Sequence, residues 1–181
     1  MLVEETYLKG CYIITPKIYK DERGVFLESF NTQRFLKETG VATTFVQDNI
    51  SKSLKGVLRG LHFQKGEAAQ AKLVQVIKGR VLDICVDIRQ ESATFGKHFS
   101  TYLDDSNKRQ LYIPKGFAHG FLALENNTIF SYKCDNYYNK VSESGIIFND
   151  KTLAIDWGFP EEDIIISEKD RDLKTFKKIF Y

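Results

Sequence analysis

This sequence is short of net charge, cysteine and long apolar runs, and each shortage excludes something. Its 181 residues carry 26 Lys and Arg against 24 Asp and Glu, a formal net charge of +2. That near-balance leaves no electrostatic footprint for nucleic acid. The three cysteines, Cys11, Cys85 and Cys134, are scattered with no CxxC spacing. An odd count without a framework argues for reduced thiols and a cytoplasmic setting. No stretch approaches the roughly 20 apolar residues that a membrane helix needs, so no membrane partner is expected. The opening residues, MLVEETYLKG, carry acids and no long apolar centre, unlike a signal peptide. There is no internal repeat and no low-complexity segment.

What the chain has in quantity is aromatic: 14 Phe and 9 Tyr, residues that favour pleated, half-buried surfaces. The length suits one domain, residues 1–181, with a sizeable core. Cys11 to Thr15 is a short apolar run stopped by Pro16, and DERG at Asp21 to Gly24 is a turn signal. Val25 to Phe30 alternates as a strand that places Glu28 between Phe26 and Phe30, a pattern an edge strand would explain. Asn31 caps a helix over Thr32 to Thr39, with Gly40 as its stop. Thr43 to Asn49 alternates again. Lys72 to Lys78 and Arg80 to Ile88 read as strands hinged at Gly79, the second interrupted by Asp83 and Asp87, as residues facing water would do. Phe99 to Leu103 and Gln110 to Ile113 flank a DDSNK turn, and Gly120 to Leu124 and Thr128 to Cys134 flank an Asn-rich one. Many short strands with regular turns predict an all-β sandwich or closed barrel. The charged tail from Ser167 to Tyr181 has weak helical periodicity near Leu173 to Lys178, and its basic residues suit a solvated face.

Two stretches concentrate the chemistry. Gly56 to Gly79 reads GVLRGLHFQKGEAAQAKLVQVIKG and holds His62, and Pro114 to His119 reads PKGFAH. Together they resemble the two motifs of a cupin barrel. In metal-binding cupins the first motif runs from a Gly through a His-x-His pair and a Glu to a second Gly. Gly56, six residues before His62, and Gly79, seven after Lys72, fit that frame. The ligands do not fit: Gln64 stands at the second His and Lys72 at the Glu, leaving only His62 and His119. An ammonium repels a cation and offers it no lone pair. The pattern therefore predicts a metal-shaped site used for metal-free chemistry. Strict alternation puts Arg59 on the face opposite His62, unless Gly60 forms a bulge that re-aims it.

Taken singly, these residues have ordinary explanations. His62 suits a satisfied core histidine, Lys72 a strand end, Tyr132 core or rim, and Asp170 a surface turn. The ordered set is more specific. QDN at 47–49, VLRGLHFQ at 57–64, AKLV at 71–74, DIR at 87–89 and FGK at 95–97 come first. NKRQLYIPKGFAHGF at 107–121, YK at 132–133, YY at 137–138, NDKTLAIDW at 149–157 and SEKDRD at 167–172 follow. This series resembles the dTDP-4-dehydrorhamnose 3,5-epimerase family from about Gly10 to Asp172. Ala71 departs from it, since the family usually has Gly before the Lys. The resemblance implies a jelly-roll barrel with a few short peripheral helices, a homodimer, a dTDP-sugar substrate and no metal. It implies His62 as base, Asp170 as its partner and Tyr132 as acid, with Lys72 and His119 beside the sugar. It also implies substrate contacts from Arg23, Glu28, Gln47, Asn49, Arg59, Glu143 and Lys169, and stacking of the base on Tyr138.

The residue chemistry supports such roles. Protons alpha to a ketone are weakly acidic, so the enolate needs stabilising as it forms, which an ammonium aimed at its oxygen supplies. A histidine, with a reference pKa of about 6.5, suits a general base near neutrality. A carboxylate fixes its tautomer and favours the imidazolium. Inversion needs a second group across the substrate plane, and a Tyr hydroxyl stays protonated and donates. Relatives that invert one carbon only keep the His, the Asp and often the Tyr, so that alternative stays open at this point. A metal-dependent cupin loses its ligands to Gln64 and Lys72, and a non-catalytic sugar-nucleotide module has no need of the dyad.

Overall fold

The computed structural model describes residues 1–181. In chain order its elements are β1 (Leu2–Glu5), β2 (Tyr12–Thr15), β3 (Ile18–Asp21), β4 (Gly24–Leu27), α1 (Thr32–Thr39), β5 (Gln47–Ser53), β6 (Leu58–Gln64), β7 (Lys72–Lys78) and β8 (Arg80–Asp87). There follow β9 (His98–Asp104), β10 (Gln110–Ile113), β11 (Phe117–Ala123), β12 (Thr128–Cys134), β13 (Glu143–Gly145), α2 (Glu168–Arg171) and α3 (Phe176–Phe180). One sheet has six strands in the order β1-β2-β10-β7-β12-β5, and a second has five in the order β13-β6-β11-β8-β9. Together they make the cupin-like jelly roll that the strand pattern and the resemblance lead one to expect. No helix is long and apolar enough to cross a membrane.

Three apolar layers explain which strands read as alternating and which do not. Between the sheets, Val74, Val76, Leu111 and Phe130 from the first pack against Val81, Cys85, Leu103, Phe117 and Phe121 from the second. The outer face of the five-stranded sheet is covered by the C-terminal segment, with Ile146, Phe148, Leu153, Trp157 and Phe176 against Leu61, Leu82, Ile84 and Leu122. The outer face of the six-stranded sheet is covered by α1, through Phe35 on Leu73 and Tyr112. β8 and β11 are thus buried on both faces, and such strands read as continuous apolar runs.

That double burial corrects one expectation. Asp83 and Asp87 do not face water; both are fully buried. Asp87 instead receives Nε and Nη2 of Arg89 and the hydroxyls of Ser92 and Thr94, and so ties down the turn after β8. Other departures are matters of length. The strand expected over Val25 to Phe30 stops at Leu27 and pairs only with β3, so the β3–β4 hairpin lies outside both sheets. The alternation at Thr43 to Asn49 becomes a strand only from Gln47, because its partner β12 ends at Cys134. The tail helix forms at Phe176–Phe180, later than its periodicity placed it, because Phe176 is buried and anchors it. Helix α1 has the expected limits: Asn31 Oδ1 accepts the N–H of Arg34, and Gly40, at φ 71°, returns its N–H to Leu36.

Candidate active site

The site begins with an irregularity in β6. Across β11, His119 faces His62 and Phe121 faces Arg59. Between these pairs one residue of β11, Gly120, faces two of β6, Gly60 and Leu61, which is a β-bulge. Gly60 sits in the extra span with φ 123°, and a Cβ there would lie 2.6 Å from Cα of Gly120 and 2.7 Å from the carbonyl oxygen of His119. Only glycine fits so close an approach. The bulge returns Arg59 to the side of His62, and both line one cavity of about 480 Å³.

The cavity lies between the sheets. His62, His119 and Phe121 reach it from the five-stranded sheet, Ser51, Lys72, Phe130 and Tyr132 from the six-stranded one, and Ile165 to Ser167, Lys169 and Asp170 from the C-terminal segment. A smaller compartment of about 110 Å³ shares His62, Lys72 and Tyr132 and extends to Gln47, Asn49, Gln64, Gln70, Cys134, Tyr138 and Glu143. The three shared residues therefore stand where the two compartments meet.

Asp170 is not a surface turn residue. Ser167 caps the single turn of α2 by accepting the Asp170 N–H at 3.1 Å, and the turn carries Asp170 inward, where it is 4 % exposed. Its Oδ1 lies 2.7 Å from Nε2 of His62, and Oδ2 accepts the N–H of Gly60 at 3.4 Å. Burial works against its charge, but the hydrogen bond to His62, the Gly60 N–H and nearby Lys169 together hold its pKa below the ordinary carboxylate value. The ionised oxygen accepts from Nε2 and leaves Nδ1 of His62 as the free basic nitrogen. A second buried pair stands beside it: Nε2 of His119 is 3.0 and 2.9 Å from the two oxygens of Asp83.

On the opposite wall, Lys72 forms no ion pair with the protein, and its Nζ sits 5.8 Å from the ring centre of Tyr132. Burial lowers its pKa, against the upward pull of Cys134, Asp83 and Glu143. The Tyr132 phenol is raised, first by burial and then by Cys134 and Glu143, with Arg59 pulling the other way. Its hydroxyl therefore keeps its proton at neutral pH. Arg59 is steadied by Nε on Ser53 Oγ at 3.3 Å. At the rim, Glu143 Oε2 accepts Tyr138 Oη at 2.7 Å and Lys169 Nζ at 2.6 Å. Glu143 is partly buried, which opposes its charge, but Lys169 and Tyr138 hold its pKa down.

Eleven of the thirteen residues named from the sequence thus line these two compartments. Arg23 and Glu28 do not. Arg23 pairs with Asp21 at 2.6 Å on the β3–β4 hairpin, and Glu28 pairs with Arg34 at 3.1 Å. Sequence reasoning missed Ser51, Gln64, Gln70 and Asp83 as parts of the site. Asp83 did leave a signal, an acid in mid-strand within an otherwise apolar run. In the sequence Gln64 stands out only as a missing metal ligand, at the second His of the cupin motif. The cupin metal does not fit here: no three His, Cys, Asp or Glu side chains converge, and each histidine of the motif is committed to a carboxylate.

Residues 5–178 match the family model described as dTDP-4-dehydrorhamnose 3,5-epimerase. The chain belongs to that family. It is 52 % identical over 161 residues to the dTDP-4-dehydrorhamnose 3,5-epimerase of Salmonella typhimurium, covering 89 % of this chain and 88 % of that one. The crystal structure of the Elizabethkingia anophelis epimerase superposes with a TM-score of 0.96 at 55 % identity, covering 100 % of this chain and 99 % of that one. A Legionella pneumophila 3,5-epimerase, solved in complex with dTDP-4-keto-L-rhamnose, superposes with a TM-score of 0.94 at 48 % identity over 98 % of this chain and 94 % of that one. As a member of the epimerase family the chain is an enzyme, an isomerase.

Proposed function

We propose that this epimerase inverts C3 and C5 of dTDP-4-dehydro-6-deoxy-D-glucose, giving dTDP-4-dehydro-L-rhamnose, with base and acid working from opposite walls of the cavity. The observation that carries this reading is the placement of His62 and Tyr132 on opposing sheets, with Lys72 beside the phenol. His62 takes the proton alpha to the C4 ketone on one face. Asp170 stabilises the imidazolium that results. Lys72, with His119, faces the C4 oxygen and stabilises the enolate electrostatically. Tyr132 returns a proton to the same carbon from the other face, and the cycle repeats at the second carbon. Arg59 and Lys169 suit the diphosphate, and Tyr138, with Gln47 and Asn49 behind it, suits the flat base.

The reaction as written needs no metal and no cofactor, because Lys72 supplies the positive charge at the ketone. The reading takes residues 1–181 as one domain, and three unpaired thiols suit a cytoplasmic setting. It also takes the working unit as a homodimer. The β3–β4 hairpin exposes Tyr19, Val25 and Phe26 and pairs with no other strand. A two-stranded hairpin alone is marginal in water, so a second copy of the chain is its natural support. Arg23 and Glu28 then serve the partner's site.

The test is incubation with dTDP-4-dehydro-6-deoxy-D-glucose in deuterated water, read by NMR. Deuterium at both C3 and C5 of an inverted product is the expected result. Label and inversion at one carbon only would replace this reaction with a single epimerisation.

A further inference from the structure

The loop that carries Tyr138 is held by side-chain amides, not by a core. Tyr137, Tyr138 and Val141 are 67, 50 and 94 % exposed. Three glutamines from separate parts of the chain hold its backbone. Gln70 Nε2 donates to the carbonyl of Asn136 at 2.8 Å. Gln47 Oε1 accepts the N–H of Tyr138 at 2.9 Å, and Gln64 Oε1 accepts the N–H of Asn139 at 3.2 Å. All three glutamines line the smaller compartment.

Gln64 is the informative member. It lies two residues after His62 on β6 and so shares its face. It pairs across the ladder with Glu143, which in turn holds the Tyr138 hydroxyl. Tyr138 is thus fixed at its hydroxyl by the cross-strand neighbour of Gln64 and at its backbone by Gln47, while Gln64 fixes the next residue. We propose that Gln64, at the position where a metal-binding cupin carries its second histidine, is a positioning residue that presents Tyr138 to the nucleotide, acting through Asn139 and backed by Gln70. The proposal rests on the reading of Tyr138 as the platform for the base. A frame position freed from metal ligation has been turned to shaping the nucleotide end of the site.

The roles separate experimentally. Gln64→Met keeps the size and removes the acceptor, whereas Gln64→Glu keeps an acceptor oxygen for Asn139. Two measurements apply to each: amide hydrogen exchange of the peptide spanning residues 136–142, and steady-state kinetics with titration of dTDP. Gln64→Met is expected to speed exchange in that loop, weaken dTDP and raise KM by about tenfold, the scale of one lost hydrogen bond with its desolvation cost, and leave kcat within about twofold. Gln64→Glu should restore slow exchange in the loop. Gln70→Leu, which removes the tether at Asn136, should repeat the Gln64→Met pattern and serves if that variant does not fold. Loop exchange unchanged in Gln64→Met and in Gln70→Leu overturns the proposal, as does a fall in kcat with KM unchanged, which would move Gln64 into the chemistry. If wild-type protein did not bind dTDP, the platform reading would fail, and loop exchange would still decide whether the amides hold the loop.

Discussion

Two histidine–carboxylate pairs share one cavity, and their surroundings give them different work. His62 is 29 % exposed at its side chain and opens to both compartments, so it has room to meet a substrate proton. His119 is 7 % exposed and its Nε2 contacts both oxygens of Asp83, so it suits a fixed donor better than a moving base. Asp170→Asn should leave the fold intact and lower kcat sharply, because the amide still orients the ring but no longer neutralises the imidazolium; an unchanged kcat would return Asp170 to a structural role. Tyr132→Phe tests the acid. In the proposed mechanism, His62 acting alone would take a proton and give one back to the same face, which exchanges hydrogen and inverts nothing. Tyr132→Phe should therefore still wash solvent deuterium into the substrate, while inverted product falls by on the order of 10². Wild-type rates of inversion would assign Tyr132 to packing. Lys72 adds a pH signature. Its pKa is lowered from the usual 10.5, so it loses its charge at a lower pH than an exposed lysine does. The alkaline limb of kcat should fall accordingly and move upward in Lys72→Arg if that variant turns over; an alkaline limb that ignores this substitution belongs to another group. At this scale His62, Lys72 and Tyr132 were legible from ordered motifs. Asp83 was not, because the sequence does not say that β8 is covered on both faces.

Elements were legible where local chemistry decides them. Helix α1 has an Asn cap, a glycine stop and one apolar anchor, all within ten residues of sequence. The shortened strand at Leu27 and the late start of β5 depend on where a partner strand ends, which no local pattern records. The β6 bulge lies between these cases. Gly60 made a bulge possible, and only the pairing of β6 with β11 shows that it forms and brings Arg59 to the side of His62. Gly60→Ala should destabilise the protein by on the order of 3 kcal/mol, combining overpacking with a backbone conformation that a Cβ disfavours. Unaltered chemical denaturation would mean that the strands part there at no cost. The end of β8 gives a pH prediction. Burial opposes the charge of Asp87, but Arg89, Ser92 and Thr94 bring its pKa from 3.8 down to about 2. The folded value is depressed, so the contribution to stability is full above 3.8 and is lost as pH falls through about 2. It amounts to about 2 kcal/mol. Asp87→Asn should be less stable than wild type at pH 6, and the gap should close toward pH 2 in urea titrations; a gap independent of pH would assign Asp87 to packing alone.

For the whole molecule, the question is whether one chain makes one site. Eleven of the residues named from the sequence line the cavities, and the two that do not, Arg23 and Glu28, lie on or just beyond a hairpin that touches neither sheet as a strand. If the hairpin reaches into a second copy, each site of a two-fold dimer draws its base from one chain and its Arg23 and Glu28 from the other. Mixing tests this directly. A chain with His62→Ala and a chain with Arg23→Ala and Glu28→Ala should each be poorly active alone. Unfolded together and refolded at equal amounts, they should form mixed dimers in about half of the population. In a mixed dimer assembled in trans, one site carries every defect and the other carries none. Activity should then rise to about a quarter of the wild-type value per site. If Arg23 and Glu28 served their own chain's site, every site in every dimer would carry a defect, and mixing would recover nothing. The same mixture supplies its own control, since refolding each variant alone shows what refolding by itself restores. Recovery to about a quarter, with the mixed species confirmed by mass, would place the hairpin in the partner's site. Confirmed mixed dimers without recovery would remove Arg23 and Glu28 from the partner's site.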